Sequence, residues 1–265
     1  MKRSILAVPV RKVGESVSEE QDLVAVEEPL QIRLNGENLA ITMRTPGNDD
    51  ELAAGFLFTE GIIASAAQIA AIECRDNVAS VTLAAGVTVE LEGAERRFYL
   101  TSSCGICGKA SVDAVSAAGC VPPPKDRPQV DAALLGRLPD LLRETQPVFD
   151  RTGGLHAAGL FDNAGNLHAV REDVGRHNAV DKLVGRMLLD GRVPLHDGIL
   201  QVSGRASFEL VQKALMAGIP MLVAVGAPSS LAVELALRFG MTLAGFARQG
   251  RFNVYSGPER VLLPE

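Results

Sequence analysis

Residues 198–246 read GILQVSGRASFELVQKALMAGIPMLVAVGAPSSLAVELALRFGMTLAGF, and this stretch decides the fold. Three short apolar runs predict β-strands over residues 198–203, 221–226 and 242–246. Between them, apolar residues recur at helical spacing over residues 208–218 and 231–239. Strands that are joined by single helices form a parallel sheet that helices cover, so the stretch predicts an α/β domain.

The same alternation extends backwards to a proline-rich segment. It predicts a helix over residues 131–145 with a kink or break at Pro139, strands over 155–161 and 167–171, and a helix over 178–190. Residues 121–128, VPPPKDRP, cannot continue a helix or a central strand. We therefore predict a subdomain over residues 1–128 and an α/β domain over residues 129–265.

The N-terminal subdomain is predicted to be rich in β-structure and to hold one helix. Asn35 and Gly36 lie between two alternating runs in residues 31–44, which indicates a β-hairpin. Residues 45–61, TPGNDDELAAGFLFTEG, carry a proline, capping residues and an acidic first turn before a closing glycine, and this order is typical of a helix. Residues 78–101 predict short strands with turns.

Bulk composition excludes several classes of protein. The 265 residues are 47% hydrophobic and 22% charged, which is ordinary for a globular protein with a sizeable core. A net charge of −6 argues against a protein that coats nucleic acid. No apolar run approaches membrane-spanning length, and the N-terminus lacks a signal-peptide pattern. Four cysteines are too few for a disulfide scaffold, so we expect a cytoplasmic protein.

Two cysteines one helical turn apart are the first candidate site. Cys104 and Cys107 lie in residues 101–109, TSSCGICGK, before a segment that could be a helix. A helix start and the cation of Lys109 both favour the thiolate form, so the pair is predicted to be reactive. A structural zinc site is the alternative, although the usual second close pair of ligands is missing. A thioredoxin-like oxidoreductase is less well supported, because its motif belongs to a βαβ unit near the N-terminus.

Three turns that follow the predicted strands are the second candidate site. They are residues 203–207 (SGRAS), 227–230 (APSS) and 246–251 (FARQGR). In a parallel sheet these turns share the carboxyl edge, where α/β sheets bind ligands. Helix N-termini, small residues and arginines suit phosphate groups. The alternative is that Ser229 and Ser230 only cap a helix. The chain contains neither a P-loop nor a G-x-G-x-x-G motif.

A polar cluster in residues 172–182, EDVGRHNAVDK, is the third candidate. His177 and Asp181 would lie one turn apart on a helix that Asp173 could cap. The cluster is either a polar wall of the ligand pocket or an exposed, salt-bridged helix start. His156 has no partner that the sequence reveals, and we expect it to be a core or pocket histidine.

Several of these segments together resemble the formate dehydrogenase accessory sulfurtransferase family (FdhD). The matching segments follow one another from about residue 30 to Ser256: TPGNDDELAAGFLFTEGII, TSSCGICGKAS, REDVGRHNAVDKLVG, SGRASFELVQKALMAGIP, GAPSSLAVELA and GFARQGRFNVYS. The resemblance implies a fold similar to that of cytidine deaminases. The zinc-deaminase signature H-x-E…P-C-x-x-C is absent, because His156 is followed by Ala157 and Ala158.

The resemblance also implies a function. A cysteine desulfurase would load sulfur as a persulfide on Cys104, with Cys107 as its partner. The protein would pass that sulfur to the bis(molybdopterin guanine dinucleotide) molybdenum cofactor, which the catalytic subunit of formate dehydrogenase then receives. The resemblance suggests a homodimer without a metal of its own. The alternatives are a chaperone that binds the cofactor without moving sulfur, and a protein with structural zinc at the cysteine pair.

The resemblance assigns cofactor binding to one stretch, and the turns of the sheet edge extend that assignment. The stretch comprises Phe246, Ala247, Arg248, Gln249, Gly250 and Arg251. From the other two turns we add Ser203, Gly204, Arg205 and Ser229.

Overall fold

The fold is centred on a six-stranded mixed β-sheet. The computed structural model describes residues 4–89, 120 and 122–263. The strands of the central sheet lie in the order β13-β12-β11-β10-β8-β9. Their bounds are β8 His156–Phe161, β9 Leu167–Asp173, β10 Ile199–Val202, β11 Met221–Ala224, β12 Thr242–Arg248 and β13 Arg251–Ser256.

Strand direction in the central sheet confirms the predicted α/β architecture. Strands β10, β11 and β12 are parallel, as the strand–helix–strand pattern requires. Strand β8 is antiparallel to β10 and forms a hairpin with β9, while β13 pairs antiparallel with β12. The sheet is therefore parallel only at its centre. Because β8 runs against β10, its first residue lies at the carboxyl edge of the parallel strands.

Helices cover both faces of this sheet. Their bounds are α1 Asp49–Thr59, α2 Ala132–Arg143, α3 Pro147–Thr152, α4 Arg176–Leu189, α5 Phe208–Met216 and α6 Ser230–Phe239. Helix α2 packs on one face through Leu135, Leu138 and Leu142. Helices α4, α5 and α6 cover the other face. Pro139 lies inside α2, which continues through it as one helix.

The N-terminal subdomain contains the predicted hairpin. Strands β3 (Glu28–Leu34) and β4 (Glu37–Arg44) pair antiparallel, and they join β5 (Ile69–Arg75) and β6 (Val78–Leu83) in a four-stranded sheet. Asn35 and Gly36 have φ values of 50° and 89°, the left-handed backbone that a two-residue hairpin turn requires. The expected helix is α1, although its first cap residue, Asn48, makes no side-chain cap bond.

Helix α1 joins the two predicted domains. It crosses α4 so closely that a Cβ on Gly55 would lie 1.8 Å from the carbonyl oxygen of Asp181. A Cβ on Gly185 would lie 1.8 Å from the carbonyl oxygen of Glu51. Apolar residues of both helices, such as Leu52 of α1, belong to one continuous core. Residues on the two sides of the predicted boundary therefore share a single hydrophobic core.

Two further strand pairs lie outside the main sheets. Strands β1 (Ile5–Val13) and β2 (Val17–Ala25) form a largely exposed hairpin that the sequence did not predict. Strands β7 (Val130–Asp131) and β14 (Val261–Leu262) form a short parallel pair. None of the helices within residues 4–89 and 122–263 has the length and apolar character needed to span a bilayer.

Candidate functional site

The three predicted ligand turns meet at the carboxyl edge of the parallel strands. The amide of Gly226 donates to the carbonyl of Gly204 at 2.9 Å, and the amide of Phe246 donates to the carbonyl of Gly226 at 3.1 Å. The amide of Ser229 donates to the carbonyl of Ala206 at 3.0 Å. Backbone hydrogen bonds thus join the turns into one continuous edge, as their positions after parallel strands predict.

The last turn differs from its prediction. The strand predicted over residues 242–246 continues to Arg248, and residues 249–250 form the tight turn of the β12–β13 hairpin. The pairing shifts between Gly245 and Arg248, and Phe246 has a left-handed φ of 55°. A bulge of this kind breaks the alternation of buried and exposed residues, so the sequence pattern ended the strand too early. Left-handed backbone at a bulky residue costs energy and is found most often at functional sites.

A cleft lies between this edge and helix α2, and we call it the sheet-edge cleft. Its volume is about 520 Å³. Four of the residues that the sequence predicted line it, namely Ser203, Ala247, Arg248 and Gln249. Its other polar and aromatic lining residues include His156, which the sequence indicated as a core or pocket histidine, and Arg143, Gln146 and Phe149, which were not predicted. Arg143, Gln146 and Phe149 come from α2 and the chain after it, which the sequence identified only as a helical segment.

Two glycines fix the hairpin turn against α2. A Cβ on Gly136 would lie 2.8 Å from the Cα atom of Gly250, and the amide of Gly250 donates to the carbonyl of Gly136 at 3.3 Å. Backbone therefore rests directly on backbone at this point, which places Arg248 and Gln249 at the cleft.

Exposed arginines make the cleft suitable for an anion. Arg248 and Arg251 stand directly opposite each other across the β12–β13 hairpin, and both side chains are exposed. Like charges at opposed positions repel, and a bound anion would remove that repulsion. Arg143 stacks over the ring of Phe149 at 4.7 Å and pairs with Asp150, so its position on the cleft wall is fixed.

The remaining predicted residues have different surroundings. Gly204 lies against His156, whose Nδ1 would be 3.3 Å from an added Cβ. Arg205 is exposed and packs against the backbone of Gly226, where an added Cβ would lie 2.9 Å from Arg205 Cγ. The Ser229 hydroxyl accepts a hydrogen bond from the backbone amide of Ala232 at 3.2 Å. The interpretation of this serine as a helix cap is therefore confirmed.

A second cavity lies on the opposite face of the sheet, at the N-termini of α4 and α5, and we call it the helix-end cavity. Its volume is about 180 Å³. Its charged and aromatic lining residues are Glu27, Phe56, Glu60, His156, Arg176, His177, Asp181, Glu209 and Lys213. His156 lines both the helix-end cavity and the sheet-edge cleft. The expectation of a pocket histidine is confirmed.

The inner end of the helix-end cavity holds four groups that we call the lysine cluster: Thr59, Glu60, Asp181 and Lys213. The ammonium of Lys213 donates to Asp181 Oδ2 at 2.9 Å, to Thr59 Oγ1 at 2.9 Å and to Glu60 Oε1 at 3.1 Å. Burial opposes the charge on Lys213, yet the two carboxylates raise the pKa of this group. Burial raises the pKa of Asp181, while Lys213 acts in the opposite direction.

The outer end of the helix-end cavity holds a histidine–carboxylate pair. His177 Nε2 lies 3.7 Å from Glu209 Oε2 and 3.4 Å from Ser207 Oγ. Burial raises the pKa of Glu209, but hydrogen bonds from His177, from its own backbone amide and from Ser207, together with the charge of His177, outweigh burial and lower that pKa to about 2.

The predicted cluster in residues 172–182 is thus a pocket wall. Asp181 and Lys182 are each only 2% exposed, so the alternative of an exposed helix start is wrong. Asp173 accepts the amide of Gly175 at 2.8 Å and pairs with Lys182 at 2.6 Å. Other buried partners, Thr45 of Asp173 and Lys213 of Asp181, lie far away in the sequence, which is why the pattern alone left two interpretations open.

The cysteine pair cannot be placed, because Cys104 and Cys107 lie outside the described residues. Of the two other cysteines, Cys74 is exposed, and burial raises the pKa of Cys120 to about 11. Within residues 4–89, 120 and 122–263, no three His, Cys, Asp or Glu side chains are arranged to hold a metal ion.

Comparisons with known proteins all lead to one family. A family model described as FdhD/NarQ matches residues 25–262. A sulfur carrier protein FdhD from Streptomyces coelicolor is 55% identical over 259 residues, which cover 94% of this chain and 92% of that protein. A protein of the same name from Sulfolobus acidocaldarius is 46% identical over 259 residues, which cover 97% of this chain and 98% of that one.

A solved structure agrees with the sequence comparisons. A crystal structure from Desulfotalea psychrophila, provisionally described as a formate dehydrogenase accessory protein, matches with a TM-score of 0.79 at 29% identity. The match covers 98% of this chain and 100% of that chain. The likeness therefore extends over both the N-terminal sheet and the central sheet.

Proposed function

Because the chain belongs to the FdhD/NarQ family, we propose that it is a sulfurtransferase that carries sulfur on Cys104 and delivers it to a molybdenum cofactor for formate dehydrogenase. The name sulfur carrier protein, which its relatives bear, supports the sulfur chemistry. The convergence of three ligand turns on one sheet edge, beside a cleft with arginines, carries the proposal of a phosphate-bearing acceptor.

The first step is a sulfur exchange between two proteins. The Cys104 thiolate attacks the terminal sulfur of a persulfide on a cysteine desulfurase. A sulfur–sulfur bond forms to Cys104, and the bond within the desulfurase persulfide breaks. The desulfurase cysteine leaves with the electron pair as a thiolate, so this step needs no oxidant or reductant.

The second step releases the sulfur to the acceptor. The Cys107 thiolate attacks Sγ of Cys104 and forms a disulfide, and the terminal sulfur leaves with the electron pair as sulfide. A thiol reductant then supplies two electrons and restores both cysteines. Cys107 follows Cys104 by three residues, a spacing that allows this attack, and the helix start that the sequence predicts there would favour its thiolate.

The acceptor that we propose is bis(molybdopterin guanine dinucleotide) molybdenum cofactor, which is the substrate of the transfer. Its diphosphates suit the exposed guanidinium groups of Arg248 and Arg251. A cleft of about 520 Å³ is of the size that takes one nucleotide-sized part of such a ligand. We further propose that the protein acts in the cytoplasm as a homodimer.

Genetic complementation tests this function. In a strain that lacks the gene, the wild-type chain and a Cys74→Ser variant should both restore formate dehydrogenase activity, since Cys74 is exposed on the edge strand β5. Cys104→Ala should restore none, because it removes the sulfur atom on which the persulfide is proposed to form. Full activity with Cys104→Ala would refute the proposal.

Metal content separates the proposal from structural zinc. Protein purified without chelator should contain no zinc that is lost in a Cys104→Ser/Cys107→Ser variant. Near-stoichiometric zinc that disappears in that double variant would instead assign the cysteine pair to a metal site.

A further inference from the structure

Gln146 is a buried polar residue on the wall of the sheet-edge cleft. It is 3% exposed, and no other residue of the described chain forms a hydrogen bond with its side-chain amide. Within that part of the chain, the fully enclosed side-chain atoms without a partner are Arg176 Nε and Gln201 Oε1. The amide of Gln146 therefore keeps some accessible surface, which faces the cleft. Native proteins pair buried amides with protein, water or ligand, because an unpaired amide costs free energy.

The backbone that carries this amide is fixed from two sides. Gln146 is the cap residue of α3, and its carbonyl accepts the amide of Asp150 at 2.9 Å. The amides of Val148 and Phe149 donate to the carboxylate of Glu172 on β9 at 3.1 and 2.8 Å. The start of α3 is thus tied to the central sheet before a ligand arrives, which lowers the cost of binding.

The same wall of the cleft carries a flat surface. The guanidinium of Arg143 lies over the ring of Phe149, 4.7 Å from its centroid, and both residues line the cleft. Guanidinium planes and aromatic rings both stack on heterocyclic bases. The apolar lining residues include Leu142, Leu155 and Val225. This surface suits a planar ring better than a free ion.

A primary amide selects a particular edge of such a ring. The Gln146 side chain offers an acceptor, Oε1, beside a donor, Nε2. The 2-amino-4-oxopyrimidine ring that guanine and pterins share presents an N–H donor beside a carbonyl acceptor, so two hydrogen bonds can form with this amide. The carboxylate of Asp140 also lines the cleft and forms no ion pair with the described residues. It is only an acceptor, which suits the 2-amino group of the same ring.

We propose that Gln146 and Asp140 bind the 2-amino-4-oxopyrimidine edge of a heterocycle in the sheet-edge cleft, while Arg248 holds its phosphates from the opposite wall. The heterocycle is the guanine or the pterin of the acceptor, because both carry this edge. The inference rests on the nucleotide-bearing acceptor proposed above. It assigns the ring to the wall formed by α2 and α3, and the phosphates to the sheet edge.

Calorimetric titration of the full-length protein with two probes tests this assignment. The probes are guanosine diphosphate and neopterin, a pterin without phosphate. Gln146→Met should weaken binding of the probe that the wild type binds at least about tenfold, since two hydrogen bonds are lost. Asp140→Asn should weaken it at least about threefold, because the acceptor loses its charge. Asp140 is exposed, so this second variant tests the same edge without disturbing the fold.

Stability separates recognition of the ring from a structural role. Because the Gln146 amide bonds to no residue of the described chain, Gln146→Met should leave the free energy of unfolding unchanged or raise it. Gln212→Met is the matched control. Gln212 is 4% exposed and lines the helix-end cavity on the other face of the sheet, so this variant should bind both probes as the wild type does.

The two probes also identify which ring occupies the cleft. Binding of guanosine diphosphate that depends on Gln146 assigns the guanine, and binding of neopterin that depends on Gln146 assigns the pterin. In the first case, adenosine diphosphate should bind at least about tenfold more weakly than guanosine diphosphate, because adenine lacks the 2-amino group and the lactam.

Two results would overturn the proposal: unchanged affinity for both probes in Gln146→Met, or no binding of either probe by the wild type. If Arg248→Gln weakens binding of guanosine diphosphate and Gln146→Met does not, the proposed acceptor stands and the assignment of its ring fails. Absence of sulfur on Cys104 would instead refute the proposed sulfur transfer and leave the ring site untouched.

Discussion

The sheet-edge cleft and the lysine cluster lie on opposite faces of the same sheet and are built in opposite ways. The cleft consists of turns, a strained bulge and exposed arginines on two sides. The lysine cluster consists of buried charges that satisfy one another, next to two helices in backbone contact. Groups that could bind a ligand are thus kept apart from groups that hold α1 against α4 and α5.

The difference shows how stability and binding are divided in this molecule. Arg248 and Arg251 carry like charges at opposed positions of the hairpin, so they do not stabilise each other, and a bound anion would offset their repulsion. The carboxylates around Lys213 could not remain buried without it. We therefore expect substitutions at the cluster to reduce stability, and substitutions at the cleft to reduce affinity alone.

The largest effect is expected where α1 crosses α4. Gly185→Ala places a methyl group 1.8 Å from the carbonyl oxygen of Glu51, so the helices must separate. We expect a loss of more than about 4 kcal/mol in the free energy of unfolding, measured by denaturant titration. Gly14→Ala is the control, since an added Cβ there meets nothing within 4 Å. Equal stability of the two variants would show that the helices are not in backbone contact.

Loss of the cation from the lysine cluster should come next. Lys213→Met leaves Asp181 and Glu60 buried without it, at a cost of about 3–5 kcal/mol in unfolding free energy. Burial already raises the pKa of Asp181, and without Lys213 that pKa rises further. Such a group stabilises the fold less as pH rises through its folded pKa, so the deficit should be largest near neutral pH and shrink in acid.

A matched control and a second variant sharpen this prediction. Lys125→Met removes an exposed lysine and should change stability by less than about 0.5 kcal/mol. Adding Asp181→Asn to Lys213→Met should restore part of the loss. If Lys213→Met unfolds at the same denaturant concentration as Lys125→Met at neutral pH, the cluster does not hold α1 against α4 and α5.

At the cleft, the effect should appear in affinity and leave stability unchanged. Arg248→Gln should weaken binding of guanosine diphosphate by about 1.5–3 kcal/mol, because a charged hydrogen bond to phosphate is lost. The unfolding free energy should stay within about 0.5 kcal/mol of wild type, since the side chain is exposed. Arg192→Gln, an exposed arginine outside the cleft, should change neither quantity. Unchanged affinity in Arg248→Gln, by calorimetry, would place the nucleotide elsewhere.

The smallest effect is expected at the histidine–carboxylate pair between the two regions. The pKa of Glu209 is lowered to about 2, so its stabilising effect is present above its ordinary pKa near 4.5 and is lost as pH falls through 2. Glu209→Gln should lower the unfolding free energy by up to about 1 kcal/mol at neutral pH and by nothing near pH 2. Thermal melts against pH, with exposed Glu234→Gln as control, measure this. A deficit that does not change with pH would contradict the pairing.

Sequence pattern was sufficient for the elements that local chemistry determines. The turn at Asn35 and Gly36 was found because few other residues accept its backbone angles. The parallel strands β10, β11 and β12 were found because buried strands are predominantly apolar, although β10 also buries Gln201. The edge they share followed from topology alone, which is why three turns of the candidate site could be predicted together.

The rest depended on long-range contacts that no local pattern encodes. The β1–β2 hairpin contains no buried residue. Its apolar and polar residues therefore need not alternate, and the sequence pattern does not predict these strands. Strand β13 was missed because the bulge at Phe246 hid the continuation of β12. Arg143 reaches the cleft from another helix, and the partners of Asp181 come from α1 and α5. Side chains assembled from distant segments require the folded chain.

The most direct test of the central claim is the mass of the intact protein after incubation with a cysteine desulfurase and cysteine. The wild-type chain should gain the mass of one sulfur atom, and a thiol reductant should remove it. Cys104→Ala should gain nothing, while Cys74→Ser should behave as wild type. A wild-type chain that gains no sulfur while the desulfurase is active, or a Cys104→Ala chain that gains it, would contradict sulfur carriage on Cys104.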